Sequence, residues 1–234
     1  HLKEIAPIIY TPTVGQACQE FSHIYPFLAP PSAVDGLYIP LNEVDSIDEI
    51  IENYRASIPE GCVPETTVIT DGSRILGLGD LGMNGMGIPV GKLQLYVAAA
   101  GLDPTRCLPI VLDFGTDNAK YLEDPLYLGI RQKRPGDEEL FLAVFQARMQ
   151  GNSHLNGVGR QFFRHVLNGL TAAFPGIFIQ FEDFNTPHAF GLLEQWRHRT
   201  LCFNDDIQGT GSVILAGFIS AIKLAGIPAQ DQRI

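Results

Sequence analysis

Short apolar runs bounded by turn residues alternate along this chain with longer stretches of helical period. Leu37–Pro40, Thr66–Thr70, Leu108–Phe114 and residues 176–181 and 201–204 have strand length and are rich in β-branched and aromatic side chains. Asp45 to Arg55, Pro89 to Ala100, Glu138–Met149, Gly159–Ala173 and Gly211–Ala225 instead read as helices. Asp45 or Ser46 suits the first helix's cap, and Pro89 the first turn of the second. Ile5 to Tyr25 is helix-like as well, with Pro12 at an end or a kink because proline lacks a backbone donor. Asp71-Gly72 is a strong two-residue turn signal, so Thr66–Thr70 and Arg74–Leu78 are expected to pair as a hairpin. Loops are expected at Pro30–Ala33, at Asp35-Gly36 and at Gly151–Gly159. Strands alternating with helices predict an α/β fold, a mostly parallel sheet covered by helices, as one unit over residues 1–234.

A chain of 234 residues with 45% hydrophobic content can bury a full core. Its formal charge of −10 supplies no basic patch, which argues against nucleic acid and against anionic membrane surfaces. No apolar run approaches the length of a membrane span, and no secretory leader pattern is present. Cys18, Cys62, Cys107 and Cys202 have no metal-binding spacing and read as reduced, buried small hydrophobes. An intracellular protein is expected, in cytoplasm or mitochondrial matrix. His1 in place of an initiator methionine, and an ending just after a helix-like run, read as a chain cut at both ends.

The candidate chemistry is concentrated near the end of the chain. Phe-Glu-Asp-Phe (181–184) and Phe-Asn-Asp-Asp-Ile-Gln-Gly-Thr (203–210) each follow a predicted strand. Ligands bind at the carboxyl ends of parallel strands, so Glu182, Asp183, Asp205 and Asp206 would crowd one rim. Gathered carboxylates repel one another unless a hard cation sits among them, and oxygen ligation suits Mg²⁺ or Mn²⁺. The same acids also suit helix N-termini. Gly77-Leu-Gly79-Asp-Leu-Gly82 matches a dinucleotide fingerprint literally. Met83-Asn84-Gly85-Met86-Gly87 follows where that fingerprint needs a helix, so a loop that approaches a small ligand is expected instead.

Five motifs, in order and spread over nearly the whole chain, closely resemble malic enzymes: Ile9–Gly15, Thr70–Gly82, Gly87–Leu93, Phe181–Phe184 and Phe203–Thr210. The resemblance implies the N-terminal, metal- and malate-binding domain of that family, with the nucleotide-binding Rossmann domain absent from this chain. It implies an oxidoreductase that decarboxylates L-malate to pyruvate and CO₂, with Mg²⁺ or Mn²⁺ and with NAD or NADP in the full-length enzyme. Metal ligands then fall on Glu182, Asp183 and Asp206, the general base on Lys92, the general acid on Tyr10 and the substrate-carboxylate arginine on Arg74. Asp205 matches the acid beside the base lysine. Cofactor-binding residues are not assigned. Implied partners are malate, pyruvate, oxaloacetate and, for the full-length protein, further copies of itself in a dimer or tetramer.

Physical reasons accompany some of these roles. Lys92 follows the apolar Ile-Pro-Val-Gly near a helix start, where desolvation and the positive helix end both lower a lysine pKa. Arg74 can grip a carboxylate with two parallel hydrogen bonds. His23, His154, His165 and His198 read as structural or exposed, and His188 as lying in a helix's first turn. Without its nucleotide domain the chain is not expected to transfer hydride. Two other readings stay open: a malolactic-type decarboxylase giving lactate, and a non-catalytic fragment that holds metal and dicarboxylate or has no function of its own.

Overall fold

A computed structural model describes residues 1–27, 36–136 and 158–232. Five strands form one sheet: β1 (Leu37–Pro40), β2 (Thr66–Thr70), β3 (Cys107–Asp113), β4 (Phe178–Phe181) and β5 (Cys202–Asn204), in the order β1-β3-β2-β4-β5. Every pairing between these strands is parallel. Such a sheet is buried on both faces, and its strands read as near-continuous apolar runs.

Side-chain alternation divides the core in two. Leu108, Ile110 and Leu112 of β3 join Ile39, Ile69, Ile179 and Phe181 on one face. That face is covered by helices α4 (Ile47–Ser57), α7 (Val158–Ala173) and α8 (Thr186–Trp196). Val111 points the other way, into a cluster with Val14, Cys18, Met86 and Ile88. These come from α2 (Thr13–Gln19), α5 (Gly87–Ala100) and the 3₁₀ turn before α5. Among the described residues, helices α1 (Leu2–Ile9), α3 (Phe21–Ile24) and α6 (Ala119–Glu123) also precede β4. Pro12 sits at the junction of α1 and α2, as a residue without a backbone donor should.

The expected hairpin does not form. The chain from β2 leads through a tight loop into α5, and Arg74–Leu78 contributes only an isolated bridge between Ile75 and Gly79. The Asp-Gly signal is local, whereas β2 lies in mid-sheet with β3 on one side and β4 on the other. Neither edge is left for an antiparallel partner. Gly82 opens a short 3₁₀ turn rather than an α-helix, so the glycine-rich stretch is a loop, as its composition suggests. The expected helix at 138–149, the loop at 30–35, His154 and most of the loop at 151–159 lie outside the described residues. Of the cysteines only Cys18 is buried. The other three are half-buried, and all four are free thiols.

The last helix, α9 (Thr210–Ala225), is exposed along its length apart from the half-buried Ile222. Asp205–Ala225 is long and apolar enough to cross a membrane by length and composition. The sequence reading did not anticipate this, because Thr210, Ser212, Ser220 and Lys223 interrupt the apolar residues.

Strand order also fixes where a site belongs. The connection leaving β2 goes to β3 on one side, while the one leaving β4 goes to β5 on the other. Correspondingly, α5 covers one face and α8 the opposite one. The crevice at the carboxyl ends of β2 and β4 is therefore the sheet's switch point, where ligands of open α/β sheets bind.

Phe181 tests how this crevice is anchored. It is fully buried, with ring centroids of Phe163 and Phe184 at 6.1 and 6.0 Å. Phe181→Ala should lower the unfolding free energy by roughly 3–5 kcal/mol in urea titrations. Phe190→Ala, at a site 58% exposed, should stay within about 0.5 kcal/mol of the parent.

Candidate active site

Four of the five strands run directly into an acid at their carboxyl ends: Asp71 after β2, Asp113 closing β3, Glu182 after β4 and Asp205 after β5. Lys92, in the second turn of α5, reaches across to two of them. Its Nζ lies 2.7 Å from Glu182 Oε1 and 2.9 Å from Asp205 Oδ2. The second carboxylate oxygen of Glu182 accepts a 2.7 Å hydrogen bond from Gln180 Nε2, and Tyr96 donates its hydroxyl to Gln180 Oε1 at 2.7 Å. Tyr10 packs on the same lysine, with Nζ 5.3 Å from its ring centroid.

Gly91 makes that approach possible. A Cβ there would stand 2.9 Å from both Tyr10 Cδ2 and Val14 Cγ2. A larger residue would push the α1–α2 junction, and with it Tyr10, away from the lysine.

The second pair of acids is held by backbone. Asp183 has φ of +54°, and among the described residues no other non-glycine residue has a positive φ. This turn aims the Asp183 N–H at Asp206 Oδ2, 2.8 Å away. Asp205 and Asp206 begin a π-helical turn, Asp205–Gly209, whose first amides are met by the Asn204 side chain bonding Ile207 N at 3.0 Å. Such turns occur often at functional sites.

Burial in this negative setting raises the acids' pKa values. Desolvation, opposed by Lys92, leaves Glu182 at about 7. Desolvation, with the charges of Glu182 and Asp206 beside it, puts Asp183 at about 7. Burial likewise pushes the Tyr10 phenol well above its ordinary value, although Lys92 opposes the shift. For Lys92 the expected depression is overturned. Burial does pull its pKa down, but Glu182, Tyr10 and Asp205 outweigh it and the net shift is upward. Helix position alone misses this because the two carboxylates come from strands distant in sequence.

The site residues expected from sequence thus divide. Tyr10, Lys92, Glu182, Asp183, Asp205 and Asp206 come together. Arg74 is set to one side on the loop after β2, its Nη1 bonding Thr186 Oγ1 at 2.7 Å. His188 lies in the first turn of α8, as expected, and is buried. Sequence reasoning passed over Gln180, although a polar residue inside the apolar run Ile177–Phe181 was a usable signal. It also passed over Asp71, Ser73 and Thr186.

Among the described residues no three His, Cys, Asp or Glu side chains already surround one point as metal ligands. Glu182 is turned to Lys92 and Gln180, and Asp206 to the Asp183 amide. The donor chemistry nevertheless fits a hard divalent cation: oxygen ligands only, with the carboxyls of Glu182 and Asp183 raised first by desolvation and further by their acidic neighbours.

Comparison with known proteins gives the family. Residues 1–150 match the family model for the malic enzyme N-terminal domain. The whole chain aligns with an NADP-dependent malic enzyme of Dictyostelium discoideum at 46% identity, covering 38% of that protein. It aligns with an NAD-dependent malic enzyme of Idiomarina loihiensis at 42% identity, covering 36%. A chloroplastic NADP-dependent malic enzyme of Flaveria pringlei is 45% identical over 233 residues, 32% of its length. The chain belongs to the malic enzyme family, and spans about a third of the relatives it matches.

A pH dependence follows from the two raised carboxyls. In the folded protein Glu182 and Asp183 keep protons up to about pH 7, whereas their ordinary values are 4.5 and 3.8. Their contribution to stability is complete below the ordinary values and is lost as pH rises through about 7. Metal-free protein should therefore lose unfolding free energy between pH 5 and 8 by an amount that shrinks in Asp183→Asn, measured by urea titration at each pH.

Proposed function

We propose that this chain is the metal- and malate-binding part of an enzyme that oxidatively decarboxylates L-malate to pyruvate and CO₂. The observation that carries the reading is Lys92 held between Glu182 and Asp205 beside Tyr10, with Glu182 and the adjoining Asp183 buried. Glu182, Asp183 and Asp206 would hold Mg²⁺ or Mn²⁺. The cation would supply Lewis acidity that stabilises the negative charge developing as CO₂ departs.

The chain's own residues divide the remaining work. Once Glu182 serves as a ligand, Lys92 loses its largest stabilising partner, and burial then favours the free amine that a base requires. Lys92 would take the hydroxyl proton of malate; NAD or NADP, the cofactors in the relatives' names, would supply the hydride acceptor for C2. Asp205 holds the ammonium so formed. Tyr10, kept protonated by burial, returns a proton to C3 of the enol. Arg74 grips a substrate carboxylate from the loop after β2.

The nicotinamide site is assigned to the greater part of the relatives' length that this chain does not span. Hydride transfer is thus a property of a full-length, homo-oligomeric protein. Bacterial and chloroplastic relatives agree with an intracellular setting.

Mn²⁺-dependent decarboxylation of oxaloacetate tests the site without a hydride acceptor. The chain should release CO₂ from oxaloacetate, and Asp206→Ala should abolish it. Lys92→Ala should cut turnover by about 10²–10⁴-fold, the range for a positioned acid–base group, while Mn²⁺ affinity changes little. Collapse of Mn²⁺ affinity in Lys92→Ala would mark the lysine as structural. In the full-length protein the expected product from malate is pyruvate; lactate would instead identify a malolactic enzyme.

A further inference from the structure

Arg134 lies outside the five motifs, yet its guanidinium is placed at the root of the loop that carries Arg74. Its side chain is 6% exposed and stands over the Phe114 ring, 5.9 Å from the centroid. Nη1 meets Asp71 Oδ2 at 3.1 Å, Nη2 donates to the Asp71 carbonyl at 2.8 Å, and Nη2 lies 3.8 Å from Asp80 Oδ1. Asp71 and Asp80 stand at the two ends of the loop. Arg134 therefore closes the loop across its base.

From there a chain of hydrogen bonds runs to the acid cluster. Asp71 Oδ1 accepts from both the amide and the hydroxyl of Ser73, at 3.0 and 2.7 Å. Ser73 Oγ accepts in turn from the amide of Asn185, at 3.2 Å. The next residue, Arg74, bonds Thr186 at 2.7 Å. The loop thus touches the segment after β4 at two successive residues, Asn185 and Thr186, and its own base is fixed by one buried ion pair. Asp80 secures the far end, accepting from the amides of Gly82 at 2.9 Å and Asp117 at 2.8 Å.

We propose that Arg134 is a positioning residue for dicarboxylate recognition: through Asp71 and Ser73 it fixes the direction in which Arg74 is presented. This rests on the reading of Arg74 as the carboxylate grip. Asp71 is 1% exposed, and among the described residues its one ion pair is with Arg134, so removing that cation leaves a buried carboxylate without it. It then protonates or turns outward, releasing Ser73 and the loop. A guanidinium serves where an ammonium serves less well, because one planar group reaches both the Asp71 carboxylate and its carbonyl.

The test compares the parent chain with Arg134→Gln, Arg134→Lys and Ser73→Ala. Tartronate, an unreactive hydroxy dicarboxylate, is titrated calorimetrically at saturating Mn²⁺, and Mn²⁺ is titrated alone. Arg134→Gln should weaken tartronate by about 10- to 100-fold, the scale of a misplaced positioning contact, with Mn²⁺ affinity within about twofold, since the acids themselves are untouched. Arg134→Lys should recover part of the loss. Ser73→Ala, which leaves the buried pair intact, should weaken tartronate in the same direction and keeps the test open should Arg134→Gln fail to fold. Unchanged tartronate affinity in these variants, or an equal loss of Mn²⁺ and tartronate, would overturn the proposal. Amide hydrogen exchange without ligands separates it from the functional reading. Exchange across residues 72–82 should quicken at least tenfold in Arg134→Gln, or in Ser73→Ala, while β3 is unaffected. That result holds even if the parent binds no tartronate, which would count against the function alone; unchanged exchange would count against Arg134.

Discussion

The ammonium of Lys92, shared between Glu182 and Asp205, is the contact on which the rest of the site depends. It joins a helix on one face of the sheet to the ends of two strands, β4 and β5. Glu182 is 3% exposed, and a buried carboxylate left without a partner is far costlier than a surface one. Yet one lysine cannot balance Glu182, Asp183, Asp205 and Asp206 together. Desolvation, with neighbouring carboxylates adding to it, raises Glu182 and Asp183 to about 7, and the same carboxylates raise Lys92 as well. A pocket so charged favours positive charge, and oxygen-only donors of this kind suit a hard cation.

Backbone conformation does the placing. Two adjacent acids on a continuing strand would point to opposite faces. The left-handed turn at Asp183, just beyond β4 and Glu182, brings its amide to Asp206. The π-helical turn after β5 delivers Asp205 and Asp206 in succession, one to the lysine and one to Asp183. Gly91 lets Tyr10 settle against the same lysine. Strained or irregular backbone of this kind tends to gather at functional sites.

Much of this was legible in the sequence, and the rest was hidden for identifiable reasons. The strands near 37–40, 108–114, 176–181 and 201–204 were readable because parallel strands buried on both faces are nearly continuous apolar runs. The acids after β4 and β5 were readable because each follows such a run. The hairpin at Asp71-Gly72 was misread: turn chemistry is local, and nothing in it shows that β2 has β3 and β4 on either side. The upward shift of Lys92 and the pairing of Arg134 with Asp71 were hidden because both join residues more than sixty positions apart. No period or spacing in a single sequence records such a pair. The family resemblance supplied the roles, and the fold supplied the reasons those residues meet.

The central claim is that the surplus of buried carboxylate charge is a divalent-cation site. Calorimetric titration of the chain with Mn²⁺ near pH 7, repeated in buffers of different ionisation enthalpy, measures stoichiometry and proton release together. One Mn²⁺ per chain, with protons expelled from Glu182 and Asp183 and binding abolished in Asp206→Ala, is the predicted result. Binding that releases no protons, or that survives in Asp206→Ala, would contradict it.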